Sequence, residues 1–469
     1  MIDTLPPAAI VAPAQTPAHA AATAAPAPGD AGTGPAGTGP AAVITTAAAQ
    51  SQAAAATAPD STGSATVAPT SAAAPAPSWR QHLRNHGVDL TFSYQSESAA
   101  AVSGGARQGS AYTQQLLASA AIDTGKAFGL KGGKFIFTLI ERTGVDLTAK
   151  RLGNLFEVQE LYGGGQDVRP ANITYEQEFA GGKTALKIGM YNSGADFATL
   201  PSGCNFQNFA FCPRPTTLFY NSGFSGFPVP RWGVRLRQQI VPGWYVSAAV
   251  YEVNPYRGQM GHGWDLAPRF DSAVVPVEIM YKGGQKPGQL PSLLRFGGLV
   301  DTTNKPDVYA DANGNDYALS GLPAATRTER WSAWMMGEKG VAHIGPGGAG
   351  VLSLFSAVTV SDLHTARVPY YVSAGAVAKG FWKKRPKDIA GIGLVYARVN
   401  PRTTDREREL LAAGKSATVQ TYEASGEVYY GFQFGPLMVR PNVQYINHVG
   451  GSSRYSDAIV GGCTIRLTV

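Results

Sequence analysis

The chain has 469 residues, with 39 Lys and Arg against 32 Asp and Glu, yet only 15% of it is charged and 56 positions are Gly. Low charge with high Gly argues against an ordinary cytosolic enzyme, and the absence of any apolar run of roughly 18 or more residues excludes a helical membrane protein. A transmembrane β-barrel escapes that exclusion, because its strands alternate and hide from a hydropathy window.

Residues 1–78 contain no aromatic residue, no Lys and no Arg, and their charges are Asp3, Asp30 and Asp60 alone. All 46 aromatic residues and all 39 basic ones follow, against 29 acidic ones. An Ala/Pro/Thr/Gly-rich stretch of this kind cannot bury a core, so 1–78 is expected to be a disordered leader before one folded unit, 79–469. The opening MIDTLPPAAIVAPAQTPAHAAATAAPAPGD has neither a basic n-region nor a continuous apolar core. No signal peptide is recognisable there, so the expectation is a processed chain or a start further upstream.

At Trp79 the texture changes. WRQHLRNHG is read as one or two helical turns ending at Gly87. His82 and His86 share one face of it without a third ligand, which is read as a polar helix face; no metal and no cofactor is expected. Sixteen period-2 segments follow: 88–97, 111–123, 133–142, 168–180, 184–192, 232–241, 243–252, 274–282, 292–301, 329–339, 350–360, 370–380, 388–398, 419–433, 436–446 and 457–469. The connections alternate, long after odd segments and short after even ones. AGGK at 180–183, VPG at 241–243 and FGP at 434–436 have turn chemistry. An up-and-down barrel in a membrane does this, with tight turns at one rim and long loops at the other. The fold class is therefore all-β: a sixteen-stranded antiparallel transmembrane β-barrel with a short N-terminal helix.

The strand faces separate cleanly. Val234, Leu236 and Ile240 oppose Arg235, Arg237 and Gln239; Leu437, Val439, Val443 and Tyr445 oppose Arg440, Asn442 and Gln444. Apolar side chains could not fill the wide lumen of so many strands, so the apolar face is placed outside, toward lipid. Tyr191, Trp232, Trp244, Tyr281, Trp331, Tyr370, Tyr371, Phe381 and Trp382, near strand ends, are expected in interfacial girdles. Cys204 and Cys212 lie in the turn-rich SGCNFQNFAFCP. In an oxidising compartment they could close a small loop; two unpaired thiols is the alternative.

The segment GVDLTFSYQSE, YNSGADFA followed by CNFQNFAFC, RPKDIAGIGLVYARVN, and YEASGEVYYGFQFGPLMVRPNVQYINHVGG resemble the carbohydrate-selective porins (OprB-like) of Gram-negative outer membranes, over about 79–469. The resemblance implies a sixteen-stranded outer-membrane barrel, a periplasmic N-terminal helix and facilitated diffusion of monosaccharides or small oligosaccharides. Val469 departs from it, since outer-membrane barrels usually end in an aromatic residue; the long leader departs too.

Sugars need donors and acceptors side by side, and parity supplies them. Glu176, Glu178, Lys187, Arg235, Arg237, Glu278, Arg295, Glu423, Glu427, Arg440 and Arg466 fall on the lumen face, as sugar-handling residues or simply as a hydrated, rigid wall. Expected partners are sugars, outer-membrane lipid and lipopolysaccharide, and the barrel assembly machinery, with a homo-oligomer possible. KKRPK at 383–387 is read as a solvated turn rather than a nucleic-acid site. The competing readings are a porin for anions or small organic acids, an outer-membrane structural anchor, and a lipid hydrolase using Ser361 and His364.

Overall fold

The computed structural model describes residues 79–469 apart from 212, 213, 285 and 287; the leader expected at 1–78 lies outside the described residues. Helix α1 (Trp79–Asn85) reaches the first strand through Gly87, at φ +84°, where a Cβ would lie 2.7 Å from the Asp123 carbonyl oxygen. Glycine alone makes that turn without strain. Arg84 pairs with Asp89 at 2.8 Å and seats the helix against the wall.

Sixteen strands close the barrel: β1 (Val88–Ser103), β2 (Gly109–Asp123), β3 (Gly133–Gly144), β4 (Val168–Phe179), β5 (Thr184–Tyr191), β6 (Arg231–Val241), β7 (Trp244–Glu252), β8 (Ala273–Gly283), β9 (Ser292–Asp301), β10 (Arg330–Ile344), β11 (Gly350–Ser361), β12 (Tyr370–Lys379), β13 (Ile389–Arg398), β14 (Tyr422–Phe434), β15 (Leu437–Asn447) and β16 (Ala458–Thr468). Each pairs antiparallel with its sequence neighbours, and β1 pairs with β16, so no sheet edge is left open. The closure runs to the last residue: Val469 donates to the Phe92 carbonyl at 2.8 Å and accepts from the Phe92 N–H at 3.0 Å. Backbone pairing, which Val provides as well as an aromatic residue does, completes the ring.

Parity survives as exposure. On β15, Val443 and Tyr445 are 57% and 49% exposed to the outside, whereas Arg440 and Gln444 are fully buried. Trp244, Trp331 and Tyr370 stand exposed on the outward faces of their strands as girdle residues should, and Trp382 is exposed in the β12–β13 turn. Tyr191 and Tyr371 do not. Each is a strand step away from an outward residue, faces inward and is buried; Tyr371 donates to the Ala210 carbonyl at 2.7 Å.

Three departures from the sequence reading have physical causes. Strand β1 runs on past 97 through Ala99, Ala100 and Ala101, which pair with Gly462, Gly461 and Val460, so the first long connection shrinks to 104–108. Alanine carries too little polarity to mark a face. Strand β10 likewise runs past 339 to Ile344. The loops are also structured: the β9–β10 connection contains a hairpin (Lys305–Asp311 with Ala324–Arg327), and the β13–β14 connection carries helix α2 (Pro401–Ala412), whose Asn400 side chain accepts from the Arg402 N–H.

Candidate functional site

Two loops leave the rim and fold into the barrel: L2 (residues 145–167, after β3) and L3 (residues 192–230, after β5). Their aromatic residues, Phe156, Phe197, Phe206 and Phe224 among them, form the largest hydrophobic core with inward residues of the wall, Tyr251, Trp334, Phe355 and Tyr429. The lumen is thus not uniformly polar. Where a loop covers the wall, wall positions carry large apolar side chains. Phe206 packs on Phe211 with ring centroids 4.6 Å apart and meets Tyr429 edge-on at 5.0 Å.

Loop backbone in this position must have its N–H groups satisfied, and wall carboxylates do it. Glu427 accepts from the Gln207 and Asn208 N–H groups at 2.9 and 2.7 Å. Glu423 accepts from Leu155 N–H and Gly450 N–H, each at 2.8 Å. Glu278 accepts from Ala198 N–H at 2.8 Å, from Trp334 Nε1 at 2.9 Å and from Arg295 at 2.5 Å. Glu97, Glu338 and Asp301 do the same for Leu161, Ser202 and Gly223 at 3.1, 3.0 and 2.6 Å. Glu278, Glu423 and Glu427 face inward as parity places them, and they are buried under the loops.

On the β4–β6 arc the charges meet one another. Register sets Glu176 beside Lys187 and Lys187 beside Arg235 across β4, β5 and β6. Arg235 reaches Glu176 at 2.9 Å, and Arg237 reaches Glu178 at 3.2 Å. Asp196 of L3 descends onto the same row, 3.3 Å from Lys187 and 3.8 Å from Arg235. Burial works against the ionised form of Asp196, but Arg235 and Lys187 hold its carboxyl below the ordinary range. The lower members stay wet: the side chains of Glu178 and Arg237 are 47% and 26% exposed.

The remaining two predicted cations stand on the closing seam. Arg466 donates to Gln95 Oε1 at 3.0 Å, and Arg440 lies over the Tyr429 ring at 5.5 Å. Both face Glu160 of L2, which accepts from Gln95 Nε2 at 3.3 Å. Burial pushes the Glu160 carboxyl up, against the pull of Arg440, Arg466 and Arg142.

Strand parity reaches only wall residues. Asp196, Glu160 and the loop aromatics escaped it, although the density of Phe, Asn and Gly between 192 and 230 was a visible sign of a packed loop. Cys204 is buried in L3 and Cys212 lies outside the described residues. The hydrolase pairing does not assemble. The Ser361 hydroxyl is bonded to Ser332 and accepts from Asn221, while His364 Nδ1 sits 3.1 Å from Asp307.

Comparisons with known proteins agree with this architecture. The family model "Carbohydrate-selective porin, OprB family" matches residues 107–469. Porin B of Pseudomonas aeruginosa is 32% identical over 405 residues, spanning 82% of this chain and 88% of that protein. A putative porin, QuiX, of Acinetobacter baylyi is 28% identical over 415 residues, spanning 83% and 90%. The high-pH structure of Pseudomonas putida OprB superposes with a TM-score of 0.79 at 31% identity, covering 84% of this chain and 96% of that one.

Proposed function

Given that the chain belongs to the OprB family of carbohydrate-selective porins, and so is an outer-membrane channel for carbohydrates, we propose that sugars cross between the inward loops and the β4–β6 wall. The observation that carries this is the division of the wall carboxylates. One set is consumed in holding L2 and L3. The other, Glu176 and Glu178 with Arg237, remains partly exposed beside Arg235 and Asp196.

A porin breaks no bonds; it selects by width and by what its lining offers. Paired acids and bases hold each other still. They present donors and acceptors at fixed spacing without a strong field of one sign, which suits a small neutral polyol of one or a few sugar units. Lipid and lipopolysaccharide would surround the apolar outer band, and insertion would use the barrel assembly machinery. Sugar-induced block of single-channel current tests the reading. Arg237→Ala should make the pore more cation-preferring and weaken sugar block several-fold. Altered ion selectivity with unchanged sugar block would remove this row from the sugar path.

The reading includes a Cys204–Cys212 bridge across L3, because periplasmic passage is oxidising and a cross-link lowers the entropy cost of ordering a long loop. Non-reducing peptide mapping should return the two cysteines on joined peptides. Two alkylatable thiols in protein purified without reductant would exclude the bridge.

A further inference from the structure

A cleft opens at the loop rim, between L2, L3 and the loop after β7, and its lining includes Phe209, Phe219, Phe224, Phe227, Arg142 and Arg231. Three of the rings form a stepped, near-parallel series. Phe209 and Phe219 have centroids 5.9 Å apart at 22°, and Phe219 and Phe224 are 5.9 Å apart at 29°. The Arg142 guanidinium lies 5.7 Å over the Phe227 ring. Phe219 and Phe224 are buried and back this stack, so the half-buried Phe209 and Phe227 rings are what the cleft offers to the C–H face of a sugar ring, which is apolar although its rim is hydroxylated.

Arg231 is the unexplained member. It is only 4% exposed, its Nη1 donates to the Asn254 carbonyl, and its Nε has no hydrogen-bond partner among the described residues. No carboxylate among the described residues forms an ion pair with it. The nearest acid by register, Glu252 on β7, is already committed to Arg257, to the Trp232 N–H at 3.1 Å and to the Arg269 N–H at 2.6 Å. A buried cation without a counter-charge is costly, and a ligand carboxylate would supply one.

We infer that this cleft is an outer docking site for a monosaccharide that carries a carboxylate, a uronic acid in chemical class, with its ring against Phe209 and Phe227 and its carboxylate on Arg231. The inference rests on the carbohydrate-channel reading and narrows it, since the β4–β6 row has balanced charge and this cleft does not.

The test uses the full-length protein in planar bilayers, with glucuronate, glucose and acetate added in turn from the loop side, and liposome swelling with glucose in parallel. Glucuronate should block the current at about tenfold lower concentration than either glucose or acetate, the size expected of one charge-assisted contact. Arg231→Gln should bring the glucuronate-to-glucose ratio near one, and Arg231→Lys should retain part of it. Equal block by glucose and glucuronate overturns the inference in favour of a neutral-sugar cleft, and equal block by acetate and glucuronate overturns it in favour of a simple anion site. If glucose still swells liposomes in either case, the channel reading stands and this inference alone falls. If no sugar blocks or permeates, both fall. The wild-type ratios decide the matter even if the Arg231 variants fail to assemble.

Discussion

At the scale of single residues, the same residue type does opposite jobs on two sides of one lumen. Glu427 is buried with two loop amides on its carboxylate, while Glu178 stands half in water against Arg237. Hydrogen bonds to a charged group contribute roughly 1.5–3 kcal/mol each. Removing the Glu427 carboxylate leaves the Gln207 and Asn208 N–H groups without it in a water-poor space. Glu427→Ala should therefore loosen L3, raise single-channel conductance and blur discrimination between sugars, with the barrel still closed. Faster amide exchange at Gln207 and Asn208 would report the same event, and unchanged conductance and exchange would show that L3 holds its place without this anchor. Alternation identified Glu427 as a lumen residue. It could not tell an anchor from a sugar contact, because that depends on whether a loop lies over it.

At the scale of elements, the rim loops are tied to one another as well as to the wall. Asp307, in the hairpin after β9, accepts from the Tyr309 and Ala310 N–H groups at 2.9 and 3.0 Å. It also takes Arg327 of the same hairpin at 2.9 Å and Arg402 of α2 at 2.8 Å, with His364 of the β11–β12 loop 3.1 Å away. Burial opposes ionisation of Asp307, but those N–H groups and guanidinium ions win and hold its carboxyl well below the usual value of 3.8. A depressed carboxylate stabilises the clasp above its unfolded pKa, and that contribution disappears as pH falls through the folded one. The clasp should thus persist through neutral and mildly acidic pH and open only well below 3.8. Asp307→Asn should open it at neutral pH, seen as faster limited proteolysis within 302–329 and 399–421. Cleavage as slow as in the parent chain would place the clasp's strength elsewhere. Neither the hairpin nor α2 was legible beforehand. Their turn residues are visible in the sequence, but what orders them is contact among loops far apart along the chain.

At the scale of the whole molecule, the closed ring accounts for the described chain from Val88 onward, and α1 adds a short helix beside its first strand. Residues 1–78 contain no aromatic and no basic residue, and we propose that the barrel assembles without them. Deleting 1–78 behind a working signal peptide should leave outer-membrane recovery and heat-modifiable migration intact, and loss of either would make the leader part of assembly. Strand positions and barrel closure could be read in advance because side-chain alternation is local: each residue's neighbours two positions away share its face. The outward turn of the apolar face followed from geometry, since a ring of sixteen strands is too wide for apolar side chains to fill. The narrowing of that ring was decided only in three dimensions. Leu155 meets Glu423, and Gln207 meets Glu427, across more than two hundred residues of sequence. No periodic pattern encodes such pairs: a loop folds inward only where wall acids receive its amides and wall aromatics cover its rings.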